Sequence, residues 1–390
     1  MYTITSALAT WNIKRKRVFL RADLNVPLSS TSIVHDHRLQ AIEPTISMLL
    51  EKGSKIILAT HLGRPKNPSE GLSTKLLVPW FKKQGYDIEH VVDLGSAHTK
   101  SLKDSSTIIL LENLRFFPGE KNKSNYFAKQ LAQLADFYVN DAFATLHRND
   151  TSIVVLPTYF EPEKKTIGLL VEKEITTLNK LLGKPKKPFI LIIGGDKIND
   201  KIPTIINLLD LISTIMLCPA AVFSFLHAQG EQTGKSLVDQ SMRQVCLNIL
   251  TTAAEKNIRI LMPKDYIVAT KTFTGLLSTI SADNFPKNGI GVSIGPTTAH
   301  EWERIIKKAE TIFYTGLMGT IQKKDTLIGV QKIFSAMGAS QGLSIIGGGD
   351  SVAAAQLLGL DHAITFCSTG GSATLTYLAS EKLPGLDQLI

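Results

Sequence analysis

The sequence predicts an α/β protein built from two doubly wound, mostly parallel sheets. Three observations carry that expectation. The chain has 390 residues, more than the ~250–300 at which a single core stops growing. Short β-rich runs alternate with helical patterns along its whole length. The alternation runs twice, with the Lys/Pro-rich stretch GKPKKP between the two series.

In the first series, 17–24 (RVFLRADL), 55–60 (KIILAT), 107–111 (TIILL) and 136–140 (DFYVN) read as strands. Between them, 37–52 places Leu39, Ile42, Ile46, Leu49 and Leu50 on one helical face, and Gly53 follows as a left-handed stop. A second helix covers 124–135 with Ser124 as its N-cap. The segment 171–182 (VEKEITTLNKLL) reads as a helix joining the two series. The second series supplies strands at 189–193 (FILII), 213–217 (STIML), 259–262 (RILM), 311–314 (TIFY), 343–346 (LSII) and 363–366 (AITF).

Composition excludes several classes. Hydrophobic residues are 44% and charged residues 20%, which argues against disorder. The stretch 211–228 lacks Lys, Arg, Asp and Glu, but Pro219 interrupts it, so it reads as a buried strand followed by a helix rather than a membrane span. The N-terminus has no uninterrupted apolar run after a basic start, so no signal peptide is expected. Cys218, Cys246 and Cys367 form no CxxC pair, and an odd count closes no disulfide set, which fits a reducing cytoplasm. A net charge of +9 is compatible with nucleic acid, a membrane surface or anionic substrates. The lysine runs are short and lack interleaved aromatics, so they read as solvated surface.

Ligands of doubly wound sheets bind at the carboxyl ends of the strands. In the first series those ends carry Asp23 and Asn25, then Arg38, then His61 and Arg64, then Arg115, then His147 and Arg148. Four loops thus deliver an Arg or His to one sheet edge. Converging guanidinium forks suit a small polyanion, the alternative being scattered surface arginines. In the second series two strands run into glycine. GGDKINDK (194–201) supplies Lys197 and Lys201, and GGGDSVAAA (347–355) opens a helix at Asp350 and Ser351. Such turns let backbone N–H groups approach phosphate, and Asp350 suits Mg²⁺, directly or through water. The alternative is a tight turn with an N-capping Asp. GEQTGKS (230–236) is one residue short of a Walker A loop, and GIGVSIG (289–295) has the wrong spacing for a dinucleotide fingerprint.

Taken in order, RADLNVPL (21–28), THLGRP (60–65), LLENLRFFPGEK (110–121), YVNDAFATLHR (138–148), GGDKINDK, SIGPTT (293–298), GLMG (316–319), GGGDSVAAA and STGG (368–371) resemble phosphoglycerate kinase. The resemblance implies two Rossmann-like domains with a hinge and an interdomain cleft. It implies a phosphoglycerate-binding domain at 1–170, an interdomain helix at 171–182, a nucleotide-binding domain at 183–370, and a segment 371–390 that returns to the first domain. It implies transfer of a phosphoryl group between 1,3-bisphosphoglycerate and Mg-ADP in glycolysis or its reverse, by a cytoplasmic monomer without nucleic-acid or membrane partners. Asp23, Asn25, Arg38, His61, Arg64, Arg115 and Arg148 would hold phosphoglycerate. Arg38 and Lys197 would flank the transferring group. Lys201, Gln322, Gly348, Gly349 and Ser351 would serve ATP or ADP, and Asp350 its Mg²⁺.

The chemistry agrees with this inventory. The acceptor carboxylate, with a reference pKa of ~3.5, is already ionised, so no general base is required. The site must offset repulsion between anions, which cations and N–H donors do. The chain departs from the family pattern mainly in its second half. Asp196 replaces a small residue, Cys218-Pro219-Ala220 a Gly-Gly-Gly turn, Thr315 and Leu317 an Asn and a Pro, Gln322 a ribose-binding Glu, and Ser293 an Asp, while Ser372 shortens a glycine run. In the first half His35 and His37 alter the pair before Arg38. Those departures motivate a second expectation, a weakly active or inactive relative that binds phosphoglycerate as a sensor or scaffold. Net charge alone motivates a third, nucleic-acid binding.

Overall fold

The structure, a computed structural model, describes residues 4–29, 33–103 and 107–389. Residues 1–3, part of the N-terminal stretch expected not to be a signal peptide, and Ile390 lie outside that set. The chain separates into two compact units. One runs through Thr176 and includes Lys382–Ile390; the other is Thr177–Glu381.

The first unit holds strands β1 (Arg17–Ala22), β2 (Lys55–Ala59), β3 (Ile88–Val91), β4 (Ile108–Leu111), β5 (Phe137–Asp141) and β6 (Lys165–Ile167). They pair in parallel in the order β3-β4-β2-β1-β5-β6. The order reverses between β1 and β5, the crevice where such sheets bind ligands. Helix His37–Glu51 buries Leu39, Ile42, Ile46 and Leu49 against this sheet, the face expected from its periodicity. Ser124 caps the helix Asn125–Ala132 through Phe127 N. The expected strands agree within two residues; β3 and β6 were not foreseen, because they are short edge strands with few consecutive apolar residues.

The second unit holds β7 (Phe189–Ile193), β8 (Thr214–Leu217), β9 (Arg259–Leu261), β10 (Asp265–Thr270), β11 (Leu277–Ser281), β12 (Gly289–Ile294), β13 (Thr311–Thr315), β14 (Leu343–Gly347) and β15 (Phe366–Cys367). Six of them form a parallel sheet in the order β15-β14-β13-β7-β8-β9, and β11-β10-β12 form a small antiparallel sheet. The switch lies between β7 and β13. All five residues of β7 are buried, as a central parallel strand covered on both faces requires. The 211–228 stretch is indeed strand β8 followed by the helix Ala221–Gln229. Among the described residues no helix is long and apolar enough to cross a membrane.

One expectation changes. The strand at 363–366 begins only at Phe366, because Thr365 and Ser344 join through each other's side chains instead of through backbone. The GIGVSIG run is strand β12, where Gly291 leaves room for Phe223, whose ring would lie 2.1 Å from a Cβ. Near the C-terminus the two compact units divide at Glu381/Lys382. The helix Ser372–Leu378 is tied to the second unit by Thr204 Oγ1 donating to Leu375 O, whereas Gly385 N donates to Leu146 O in the first.

Helix Leu169–Leu182 starts against a buried acid. Asp141 Oδ1 accepts from Val171 N at 2.9 Å, and its Oδ2 accepts from Thr45 Oγ1 at 2.5 Å. Burial pushes this carboxyl up from 3.8 to about 7, although Thr45 and the helix amides oppose the rise. The folded state therefore holds a proton that the unfolded chain has released between those two values. Stability from this group is full at acid pH and is lost as pH rises through about 7. Asp141→Asn removes that dependence. Its melting temperature relative to the parent should increase from about pH 5 to about pH 8, checked by calorimetry at both.

Candidate active site

The first unit gathers its strand-end residues around one carboxylate. Asp23, at the end of β1, is buried; its Oδ2 pairs with Arg38 NH1 and its Oδ1 lies 4.0 Å from His61 Nδ1. Burial would raise this carboxyl, but Arg38, His61, the Asn25 amide and Arg21 together hold it at about 2. His61, 1% exposed, follows β2 and touches three groups. Arg148 NH1 lies 3.0 Å from Nε2, and Arg21 NH2 lies 3.5 Å from Nδ1. A guanidinium can only donate, so Nε2, which makes the shorter contact, accepts from Arg148, while Nδ1 lies between Arg21 and Asp23. Burial, reinforced by Arg21, Arg115 and Arg148 and opposed by Asp23, keeps this ring neutral well below its usual value.

The turn after β2 is locked by Asn25 Oδ1, which accepts from Gly63 N at 2.8 Å, and by Arg115 NH1 donating to Gly63 O. Burial, then the charge of Arg148, lowers Arg115; Arg64 and Arg21 add to its field, and Asp150 opposes. Arg148 is likewise lowered by burial first, with Arg21 and Arg64 adding to it, while Asp23 and Asp150 oppose. Arg115 Nε, His37 Nδ1 and His147 Nδ1 are buried atoms without a hydrogen-bond partner. The seven residues Asp23, Asn25, Arg38, His61, Arg64, Arg115 and Arg148 thus form one cluster, with more cationic groups than Asp23 can neutralise.

Sequence reasoning missed the support beneath it. Arg21 is fully buried in β1; its Nε donates to Ser152 Oγ at 2.9 Å, and Ser152 Oγ donates to Glu120 Oε1 at 2.6 Å. Glu120 is pushed up to about 7 by burial, against the pull of Arg21 and Ser152. The signal was present, since an Arg inside an apolar strand needs a buried partner, but the partner lies in a distant loop.

The second unit carries a cavity of about 650 Å³ at the carboxyl ends of β7, β13 and β14, at the switch point. Lys197, Lys201, Gln322, Gly348, Gly349, Asp350 and Ser351 all line it. Its polar floor is shaped by two interlocked turns. A Cβ on Gly316, whose φ is +84°, would lie 1.9 Å from Gly194 O, and one on Gly194 would lie 2.5 Å from Gly316 O. The altered Cys218-Pro219-Ala220 turn still engages this floor, because Pro219 O accepts from Gly195 N at 3.1 Å.

Helix Gly349–Leu357 opens at the cavity with Gly348 at φ +102° as its N-cap, so its first amides point outward, and Asp350 is exposed in its first turn. Ser351 Oγ is buried and unpartnered there. Lys201 is buried, donates from Nζ to Lys197 O at 3.1 Å, and is lowered by burial against the pull of Asp196 and Asp200. Asp196 is exposed on the same wall; its Oδ1 accepts from Lys197 N at 3.0 Å. Ser293, by contrast, is buried in β12 beside Gly329. The lining also includes the apolar Leu237, Phe273, Ile290, Val292 and Leu317.

A carboxylate facing bound phosphates repels them unless a cation intervenes. Asp196→Ala should therefore lower the KM for nucleotide, by up to about fivefold on the scale of one screened charge. Steady-state kinetics at saturating cosubstrate check this; an unchanged or higher KM would show that Asp196 is turned away from the phosphates.

Comparison with known proteins gives a consistent result. The family model described as Phosphoglycerate kinase matches residues 8–381. A phosphoglycerate kinase of Dictyoglomus turgidum is 39% identical over 385 residues, covering 96% of each chain. One of Clostridium botulinum is 37% identical over 386 residues, covering 97% of this chain and 96% of its own. The structure of phosphoglycerate kinase from Coxiella burnetii superposes with a TM-score of 0.84 at 30% identity, covering 99% of both chains. That from Pyrococcus horikoshii OT3 superposes at 0.85 and 30% identity, covering 98% of both. With the family model matching all but the two ends, and with two doubly wound units carrying these strand-end residues, the chain belongs to the phosphoglycerate kinase family.

Proposed function

We propose that this chain catalyses reversible phosphoryl transfer between 1,3-bisphosphoglycerate and Mg-ADP, forming 3-phosphoglycerate and Mg-ATP. The observation that carries this reading is the cluster around Asp23 and His61, an excess of guanidinium groups that a phosphorylated carboxylic acid would neutralise. In this reading Arg38, Arg64, Arg115 and Arg148 hold the acid's phosphate and carboxyl oxygens, His61 belongs to the same site by orienting Arg148 through Nε2, and Asp23 and Asn25 accept from the acid's hydroxyl and fix the loops.

Lys201, the amides of Gly348 and Gly349 and the Ser351 hydroxyl hold nucleotide phosphates, and Gln322 meets the ribose. A single exposed carboxylate at a helix start fits Mg²⁺ that arrives with the nucleotide, since that ion takes one or two carboxylates and completes its shell with phosphate and water. Asp350 would hold it, and when bound it neutralises phosphate charge. During transfer, the bond from phosphorus to the acyl oxygen breaks as one to an ADP β-phosphate oxygen forms. The leaving carboxylate needs no proton. Arg38 and Lys197 stabilise the charge spread over the equatorial oxygens. The chain is read as a cytoplasmic monomer; its three cysteines are free, in keeping with a reducing compartment.

A coupled assay with ATP, Mg²⁺ and 3-phosphoglycerate tests the reading. Turnover that saturates in both substrates is expected. No turnover above background, from a sample with a cooperative melting transition, would overturn it.

A further inference from the structure

The cavity of the second unit has two lips that come from separate parts of the chain. One is the turn between β10 and β11, which presents Phe273; the other is the loop after Gly319, which presents Thr320, Ile321 and Gln322. The loop is stiff. Thr320 N donates to the buried Thr326 Oγ1 at 2.8 Å, Thr326 Oγ1 donates to Lys323 O at 2.6 Å, and Lys323 N donates to Thr320 O at 3.2 Å.

The turn between β10 and β11 has no comparable anchor in the core. Phe273 is 38% exposed and Leu276 82% exposed, so packing does little to hold the tip in place. The turn closes on itself through Thr270 N to Leu276 O, Thr272 N to Thr270 O and Gly275 N to Thr272 O, and Lys323 ties it to the other lip. Its Nζ donates to Thr274 O at 2.8 Å and to Gly275 O at 2.5 Å, across 49 and 48 residues of sequence. A cation that bonds two turn carbonyls makes charge-assisted contacts, stronger than neutral ones. It fastens the tip to the stiff loop, and with it the aromatic ring that faces the cavity.

We propose that Lys323 is a positioning residue that fixes Phe273 as a preformed wall for the base of a bound nucleotide. It acts on the base end of the ligand and leaves the phosphate end to the glycine turns. This deepens the nucleotide reading of the cavity and rests on it. The physical reason is preorganisation. A base that stacks on a ring already in place does not have to order the turn on binding, and ordering one such side chain and its loop costs about 0.5–1.5 kcal/mol.

The test is calorimetric titration of wild type, Lys323→Met, Phe273→Ala and the double variant, each with Mg-ADP and with inorganic pyrophosphate plus Mg²⁺. Lys323→Gln is measured alongside, so that a folding defect peculiar to one replacement is recognised. Lys323→Met and Lys323→Gln are each expected to weaken Mg-ADP about threefold to tenfold, the span of that ordering cost, and to leave pyrophosphate binding within about twofold. In the double variant the lysine change should add nothing to the Phe273→Ala loss, because the ring it positions is gone. Equal weakening of ADP and pyrophosphate, additive losses in the double variant, or unchanged ADP affinity in both lysine variants would each overturn the proposal. Wild type that binds pyrophosphate but not Mg-ADP would instead overturn the nucleotide reading, and this proposal with it.

Discussion

Replacing either Arg38 or Lys197 by alanine is expected to lower kcat at least ~100-fold, the scale of losing one donor aimed at transition-state charge. The two losses should differ in everything else. Arg38 is half-buried and pairs with Asp23, whose carboxyl is held at about 2 with Arg38 as the strongest opposing charge. Its removal leaves a buried carboxylate facing His61 and Arg21, so Arg38→Ala should also reduce thermal stability and raise the KM for 3-phosphoglycerate. Lys197 is exposed, so Lys197→Ala should melt like the parent and lose only turnover. Steady-state kinetics in both directions, with a melting curve for each variant, separate these outcomes. A kcat within about threefold of the parent would remove the variant residue from the transfer step.

Gly316→Ala is expected to abolish measurable nucleotide binding. The position has φ +84°, and a Cβ there would meet Gly194 O at 1.9 Å, Gly194 C at 2.6 Å and Lys201 Cε at 2.8 Å. Adopting a left-handed backbone with a side chain costs about 1–2 kcal/mol, before any clash is counted. The clashing atom is backbone at the centre of the parallel sheet's switch point, and it cannot swing aside as a side-chain tip would. Relief requires parting the turns after β7 and β13, which form the cavity floor. We expect the second unit's melting transition to fall by several degrees and Mg-ADP titration to show no saturation. The cluster around Asp23, which belongs to the other unit, should still bind 3-phosphoglycerate. Retained ADP affinity would show that the two turns can separate without opening the cavity.

Much of the fold was legible because its signals are local. The face Leu39-Ile42-Ile46-Leu49 predicted the helix His37–Glu51, and the apolar run FILII predicted the strand β7. The antiparallel sheet β11-β10-β12 was not legible. Its strands mix polar and half-exposed positions, and β12 holds glycines that resemble a loop until Phe223 is seen to fill the space beside Gly291. Thr365 likewise looks like a strand residue, but its side chain takes over the pairing with Ser344.

The site divides in the same way. The sequence by itself determined the chemistry, since guanidinium and imidazole groups after the strands of the first unit, and glycines, lysines and Asp350 after those of the second, specify polyanion ligands before any geometry is known. Only the tertiary structure decided that His61 meets Arg148 from 87 residues away, that its ring is neutral with Nδ1 toward Asp23, that Glu120 supports Arg21 through Ser152, and that Gly194 and Gly316 interlock. Residue type and periodicity act over a turn of helix or a few residues of strand. Burial, tautomer and close approach depend on which distant segments the sheet order brings together, and no local pattern encodes that.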